Sequence, residues 1–300
     1  DMTLSNTKEP ITKQLMNVFE EQNAAAVLAV QEVPWDEIDR YGSVEYKKDA
    51  PYKYEAQNIL EKLPKDKAPS NMAQFGRFVF SYKVLEEIEK HGLELIIPNS
   101  KFLELPAPPI ALTVKGNKEL LESRSIAIVG TRNPTPYGQK IASEMAANFA
   151  DREWVVVSGG AYGIDAAAHK GALIAEGETI AVLASGLNVL YPAGNARLFA
   201  AIEESGLLVS EYRPGTPALP FSFLNRNRII AAIANGTMVV EAAFRSGALR
   251  TAHDAAHLNR VVMAIPGPIN SPLSEGCHRL IGDGSAVICT GVNDAIELMR

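Results

Sequence analysis

The stretch SIAIVGTRNP, residues 125–134, carries four apolar residues into Gly130 and then an arginine, Arg132, where a nucleotide-binding turn ordinarily has small residues. Five later segments repeat the apolar lead: WVVVSGG, TIAVLA, LLVSEY, TMVVEA and RVVMAIPG. Between them, apolar spacing predicts helices over 137–150, 163–176, 196–205, 221–235 and 247–258, with a last one over 275–283. Strands that are apolar throughout and separated by helices indicate a parallel sheet covered on both faces. The expected fold is therefore α/β: a Rossmann-like, doubly wound, mostly parallel sheet over residues 106–300. In such sheets ligands bind where strands end and helix N-termini offer free N–H groups. The residues just after each strand are the ones to read.

Upstream, residues 1–105 read as a small helical N-terminal domain and a connector. KEPITKQLMNVFEEQNAAAVLAV and SYKVLEEIEKHG have helical spacing and good helix formers. The segments between them, YGSVEYKKDAPYKYEAQ and KLPKDKAPSN, are charged and broken by proline. LELPAPPIAL, residues 103–112, is proline-dense and marks the connector.

Composition narrows the function classes. The chain has 300 residues, 47% of them hydrophobic, enough for one large core and a smaller satellite. No run approaches the ~18 apolar residues of a spanning helix, so no membrane association is expected. The opening DMTLSNTKEP lacks the basic-then-apolar pattern of a secretory signal, and a cytoplasmic protein is expected. Cys277 and Cys289 match no metal or redox spacing, and His253 and His257 lack the Glu of a zinc helix, so neither metal nor cofactor is expected. Net charge is −6, but it is unevenly spread. Residues 1–100 hold 12 basic and 17 acidic side chains, whereas residues 212–260 hold six arginines against Glu241 and Asp254 alone. An acidic chain with one arginine-only stretch can still present a local anion site.

The loops carry the chemistry. In VGTRNPTPYG, Gly130 and Thr131 form the turn that would project Arg132 over the strand ends, and no G-x-G-x-x-G bed for a pyrophosphate is present. In VVSGGAYGIDAAAHKGAL, Ser158, Gly159 and Gly160 let backbone N–H groups approach an anion, while Asp165 is expected to cap the following helix. In ASGLNVLYPAGNARLF, Asn195 is placed to cap a helix, with Arg197 inside it. LPFSFLNRNRII supplies Phe221, Phe223, Asn225, Arg226, Asn227 and Arg228. Arginines beside aromatic rings suit a single-stranded nucleic acid, since guanidinium groups clamp phosphates while rings stack on bases. The same phenylalanines also suit a helix core. After the fifth strand, Arg250 lies in the first helical turn, and Glu241 is expected to orient one of the arginines.

Six segments together, VGTR…YG, SGGAYGIDAAAH, GLNVLYPAGN, FLNRNRII, VVEA…SGALRTA and IPGPI…SEGCHRLI, resemble the DNA-processing protein A family (DprA, also called Smf) in order and spacing. The resemblance covers about residues 85–290. It implies a homodimeric, non-enzymatic protein that binds and protects incoming single-stranded DNA and helps load a RecA-type recombinase in natural transformation. It also implies that Arg132, Arg226 and Arg228 grip the phosphate backbone. Tyr162 stands where members commonly carry a basic residue, and Ala193 where a lysine is frequent. After VNDAIELMR no winged-helix domain of the kind many members add is expected.

Two other classes compete. One is a nucleotide N-glycosidic-bond hydrolase of a related Rossmann-like family, for which residues 158–166 have the spacing G-G-x-x-G but no catalytic Glu, leaving only Glu241. The other is a small nucleotide-sensing module. Base release from nucleoside monophosphates separates the first from DNA binding.

Overall fold

A computed structural model describes residues 11–22, 26–47, 55–61, 64–80, 82–98, 100–105 and 108–299. The chain divides into two compact units, Asp1–Glu87 and Ile88–Arg300.

The first unit begins with helix α1 (Ile11–Gln22) and continues into four strands, β1 (Ala26–Glu32), β2 (Gly42–Lys47), β3 (Glu55–Glu61) and β4 (Met72–Phe80). They pair antiparallel in the order β1-β4-β2-β3. Val33, Ile38 and Ala73 form a small buried cluster beneath Tyr41 and Ala68. The Ser43 hydroxyl donates to the Ser70 carbonyl at 2.6 Å, and the Ser70 hydroxyl to the Val44 carbonyl at 2.7 Å, so two buried polar side chains tie a loop to a strand. The helical reading of residues 1–105 holds for α1 and for SYKVLEEIEKHG, which is helical over Tyr82–Lys90, whereas residues 26–30, expected to continue the first helix, lie in β1. Of the charged, proline-broken segments, YGSVEYKKDAPYKYEAQ contains β2 and the start of β3, because cross-strand pairing rather than intrinsic helix preference decides there, while the described part of KLPKDKAPSN is loop.

Helix α2 (Tyr82–Lys90) leads into the second unit. There follow β5 (Glu94–Ile96), α3 (Ser100–Leu103), β6 (Leu112–Gly116), β7 (Ser125–Val129), α4 (Pro136–Ala150), β8 (Val155–Ser158), α5 (Ile164–Ile174), β9 (Thr179–Leu183), α6 (Ala196–Ser205), β10 (Leu207–Ser210), α7 (Pro220–Ile233), β11 (Gly236–Val239), α8 (Ala248–His257), β12 (Val261–Ala264), α9 (Glu275–Gly282), β13 (Val287–Ile288) and α10 (Val292–Leu298). The six strands and six helices expected from residue 125 onward are all present. Residues 88–105 belong with the sheet rather than with the first unit, since β5 pairs with β6.

The nine strands run in the order β13-β12-β11-β7-β8-β9-β10-β6-β5. Every pair from β13 to β10 is parallel, and β6 alone is reversed, pairing antiparallel with both β10 and β5. Each residue of β7, β8, β9 and β11 is buried, as strands covered on both faces require. Two clusters fill the two faces, one holding Val129, Ile229 and Ala252, the other Ile128, Phe149 and Ala168. Each fully buried Ile, Leu or Phe stabilises the fold by about 1.5–3 kcal/mol.

Chain order turns on β7. The chain steps from it through β8, β9 and β10 to one side, then α7 carries it back to lay β11 on β7's other edge. The loops after β7 and β11 therefore diverge and leave a crevice at the carboxyl ends of the strands, the usual ligand position in an open α/β sheet. Among the described residues no helix is long and apolar enough to cross a membrane.

Candidate functional site

That crevice is a groove of about 820 Å³. Its walls come from Val129–Arg132 at the end of β7, Ala161 and Asp165 after β8, Tyr191, the first half of α7, and Ala243 and Arg245–Ala248 after β11. The turn bearing Arg132 is held on both sides. The Thr131 N–H donates to the Glu241 carbonyl at 2.7 Å, and the Thr131 carbonyl accepts from the Ile164 N–H at 3.1 Å. Gly163 has φ +81°, and a Cβ there would run into the backbone of Thr131 and Arg132, so the turn lies flush on the start of α5. The Arg132 side chain is exposed, and its guanidinium lies 4.7 Å from the centre of the Phe223 ring. Phe223 in turn meets Tyr191 edge-on at 5.5 Å between centroids. A cation held on a ring face keeps its N–H fork free for an oxyanion.

Under the groove lies a buried polar network. The Asp165 carboxylate accepts from the Gly159 N–H at 3.2 Å and the Ala161 N–H at 3.4 Å. It thus braces the glycine loop instead of capping α5, whose N-cap position is Gly163. Burial pushes the Asp165 carboxyl above its ordinary pKa, while the Arg226 charge and the loop N–H groups pull it down. Asn195 is likewise no side-chain cap. Its amide donates to the carbonyls of Gly160, at 2.9 Å, and Ala161, at 3.3 Å. The Ser158 hydroxyl donates to the Ile128 carbonyl at 2.7 Å.

Arg226 belongs to this network. It is 5% exposed, and its Nη1 donates to the carbonyls of Gly159 and, at 2.6 Å, Val182. A Cβ on Gly159 would occupy the space of that guanidinium, which is why only glycine fits. Burial lowers the Arg226 pKa to about 10, with Asp165 opposing the shift. Its Nε is buried without a hydrogen-bond partner.

The structure therefore sorts the expected residues. Gly130, Thr131, Arg132, Phe223, Arg226 and Asn227 line the groove. Ser158, Gly159, Gly160 and Asn195 form the loop and its braces beneath. Arg228 lies outside the lining, its Nη2 bridging both Glu211 carboxylate oxygens at 2.6 and 2.7 Å. Arg250 pairs with Asp254 at 2.8 Å. Arg197, Phe221 and Asn225 are exposed elsewhere on α6 and α7. Glu241 orients no arginine: it is buried, and its carboxylate accepts from the Thr135 hydroxyl at 2.5 Å and N–H at 2.9 Å, tying α4 to the end of β11. Tyr191, Leu224, Arg245 and Ser246 line the groove and were not expected there. The signal for Tyr191 and Arg245 was their position in loops after strands; no residue pattern distinguished them from surface positions.

A sequence model of the family described as DNA recombination-mediator protein A matches residues 97–300, and one described as nucleotidyl transferase matches residues 7–99. Protein Smf of Escherichia coli K12 is 44% identical over 193 residues, which are 64% of this chain and 51% of that protein. The chain thus spans about half the length of several curated relatives it matches. The X-ray structure of DNA processing protein A from Streptococcus pneumoniae is 40% identical, with a TM-score of 0.67 over 71% of this chain and 76% of that one. The DNA processing protein A of Helicobacter pylori, whose structure was described for its single-stranded DNA binding mode, is 30% identical. It gives a TM-score of 0.64 over 68% of this chain and 94% of that one.

Proposed function

The chain belongs to the DNA recombination-mediator protein A family, and from that membership we propose that its second unit binds single-stranded DNA in the groove between β7 and β11. The observation that carries this reading is Arg132. It is exposed, it rests on Phe223, and it enters none of the ion pairs among the described residues. A phosphate can therefore take both N–H groups of its fork without displacing a carboxylate. Phe223 and Tyr191 offer ring faces and edges beside it, and stacking is sequence-tolerant because every base has a π-face. The Helicobacter relative's single-stranded DNA binding supports the same ligand here.

The role we assign is a binding one, without catalysis. Asp165, the carboxylate in the groove lining, is occupied by loop N–H groups and Glu241, after β11, by Thr135, which supports a static scaffold over a general base. In this reading the protein acts in the cytoplasm, shields incoming single-stranded DNA and helps load a RecA-type recombinase during natural transformation. It works as a homodimer through the C-terminal half of the sheet. Val287 and Ile288, half-exposed on the edge strand β13, supply apolar surface for that contact. A gel shift comparing single-stranded and duplex DNA of equal length at one salt concentration tests the ligand. Preference for the single strand is expected, and equal affinity would overturn the reading.

A further inference from the structure

Phe244, in the loop after β11, carries two arginines. The Arg279 guanidinium, from α9, lies 4.0 Å from the ring centre and that of Arg245 lies 6.0 Å from it. All three side chains are exposed. Two acidic residues share α9 or its end with Arg279. Glu275 forms no ion pair, and the Asp283 carboxylate accepts from the Ser285 N–H at 3.0 Å. Neither arginine enters an ion pair among the described residues. Two cations beside one ring repel one another, and the ring relieves that repulsion only in part. Asp283, whose carboxyl is held below its usual range by the Ser285 hydrogen bonds and in smaller part by the His253 and Arg279 charges, offsets some of the charge of Arg279. An anion from outside the chain is attracted by both arginines.

Arg245 also lines the groove of Arg132, so the two arginine–phenylalanine pairs form one path across the strand ends. We propose that Arg245, Phe244 and Arg279 are a second phosphate subsite, which receives the backbone of a single strand as it leaves the groove. This rests on the reading of the groove as a single-stranded DNA site and extends its length. Guanidinium groups held on a ring lose little freedom on contact, and so bind phosphate better than free surface arginines do. Nucleotides beyond the groove then add affinity through Arg279, whereas the shortest ligands bind through Arg132 alone.

The test uses the full chain with oligothymidylates of about 4 and about 16 nucleotides, within the range of site sizes for single-stranded DNA binding. Affinity is titrated against salt for wild type, Arg279→Ala and Arg132→Ala. Arg279→Ala is expected to bind the longer strand about tenfold more weakly, as loss of one charge-assisted contact implies. Its salt slope on that strand should fall by about 0.7, the single-strand value for one phosphate. Its affinity for the shorter strand should match wild type. If Arg279→Ala bound both lengths like wild type while Arg132→Ala was weakened, the subsite would be overturned and the groove reading would stand. If neither variant lost affinity, the groove reading itself would fail and the subsite with it. A change of molecular mass for Arg279→Ala in light scattering would assign the patch to a second copy of the chain and also overturn the subsite.

Discussion

Arg226 donates from one guanidinium nitrogen to two backbone carbonyls, Gly159 of the glycine loop and Val182 of the neighbouring strand. The residue that family resemblance casts as a phosphate contact is thus a rivet between β9 and the loop after β8. Asp165 bonds the same loop from the other side through its N–H groups. Replacing Arg226 with Met leaves two carbonyls and a buried carboxylate uncompensated, a loss of about 3 kcal/mol. For a unit of this size the melting temperature should fall by roughly 6–12 °C. The salt slope of DNA binding should stay at the wild-type value. A variant that melted like wild type but lost slope would show that Arg226 grips phosphate directly.

Phe223 makes the opposite kind of contribution. Phe223→Leu keeps an apolar side chain but removes the face under Arg132 and a stacking surface for a base. Affinity for single-stranded DNA should fall by about 1–3 kcal/mol, with the salt slope unchanged because no charge is lost. A slope reduced as far as that of Arg132→Ala would mean that Phe223 serves only to position the arginine.

Gly163 tests whether the turn, and not only its charge, matters. Alanine there is strained at φ +81° and its methyl meets the Thr131–Arg132 backbone, so about 1–2 kcal/mol of stability should be lost. Because the turn must shift to admit the methyl, Gly163→Ala should weaken DNA binding with Arg132 still in place. Wild-type affinity in this variant would show that the exact seat of the turn is unimportant.

Much of this could be read in advance, and the limits have physical causes. The six parallel strands stand out because burial on both faces demands unbroken apolar runs, as in SIAIV and TIAVL. The edge strand β5 and its neighbour β6 carry charge and sit beside prolines, so they resemble a connector. In the first unit, strands such as GSVEYK are specified by antiparallel partners distant in sequence, which local pattern does not reveal. At the site, the exposed position of Arg132 over the strand ends was legible because it follows a strand directly in a tight turn. Arg226 and Arg228 were not, since spacing along a helix does not say which guanidinium finds carbonyls, which finds Glu211 and which is left for a ligand.

His169 provides a handle on pH. It is fully buried, and burial with the nearby Arg226 charge lowers its pKa to about 3. The Thr179 hydroxyl donates to the Val156 carbonyl, so it accepts from His169 Nδ1 at 2.7 Å and leaves Nε2 unprotonated and without a partner. The unfolded chain takes up this proton near pH 6.5 and the folded chain only near pH 3. Stability from this group is therefore complete above about pH 6.5, and between there and pH 3 each unit of acidification removes about 1.4 kcal/mol. Asp165 works in the reverse sense, since its raised pKa favours the folded state at low pH and that contribution fades as pH rises above the ordinary carboxylate range. Comparing wild type with His169→Gln isolates the histidine. The variant should show a shallower fall in melting temperature from pH 6.5 to 4, and parallel profiles would show that His169 does not titrate with unfolding.

The central claim is that Arg132 meets a phosphate of single-stranded DNA from a rigid turn. Its most direct test is a salt titration of single-stranded DNA affinity for wild type, Arg132→Ala, Arg132→Lys and a control in the first unit, Arg77→Ala, with melting temperatures measured alongside. Arg132→Ala should lose about 1–3 kcal/mol of binding and about 0.7 of slope. Arg132→Lys should recover the slope but only part of the affinity, because an ammonium keeps the charge and not the fork. All four proteins should melt together. Arg132→Ala binding like the control, or melting well below wild type, would contradict the account.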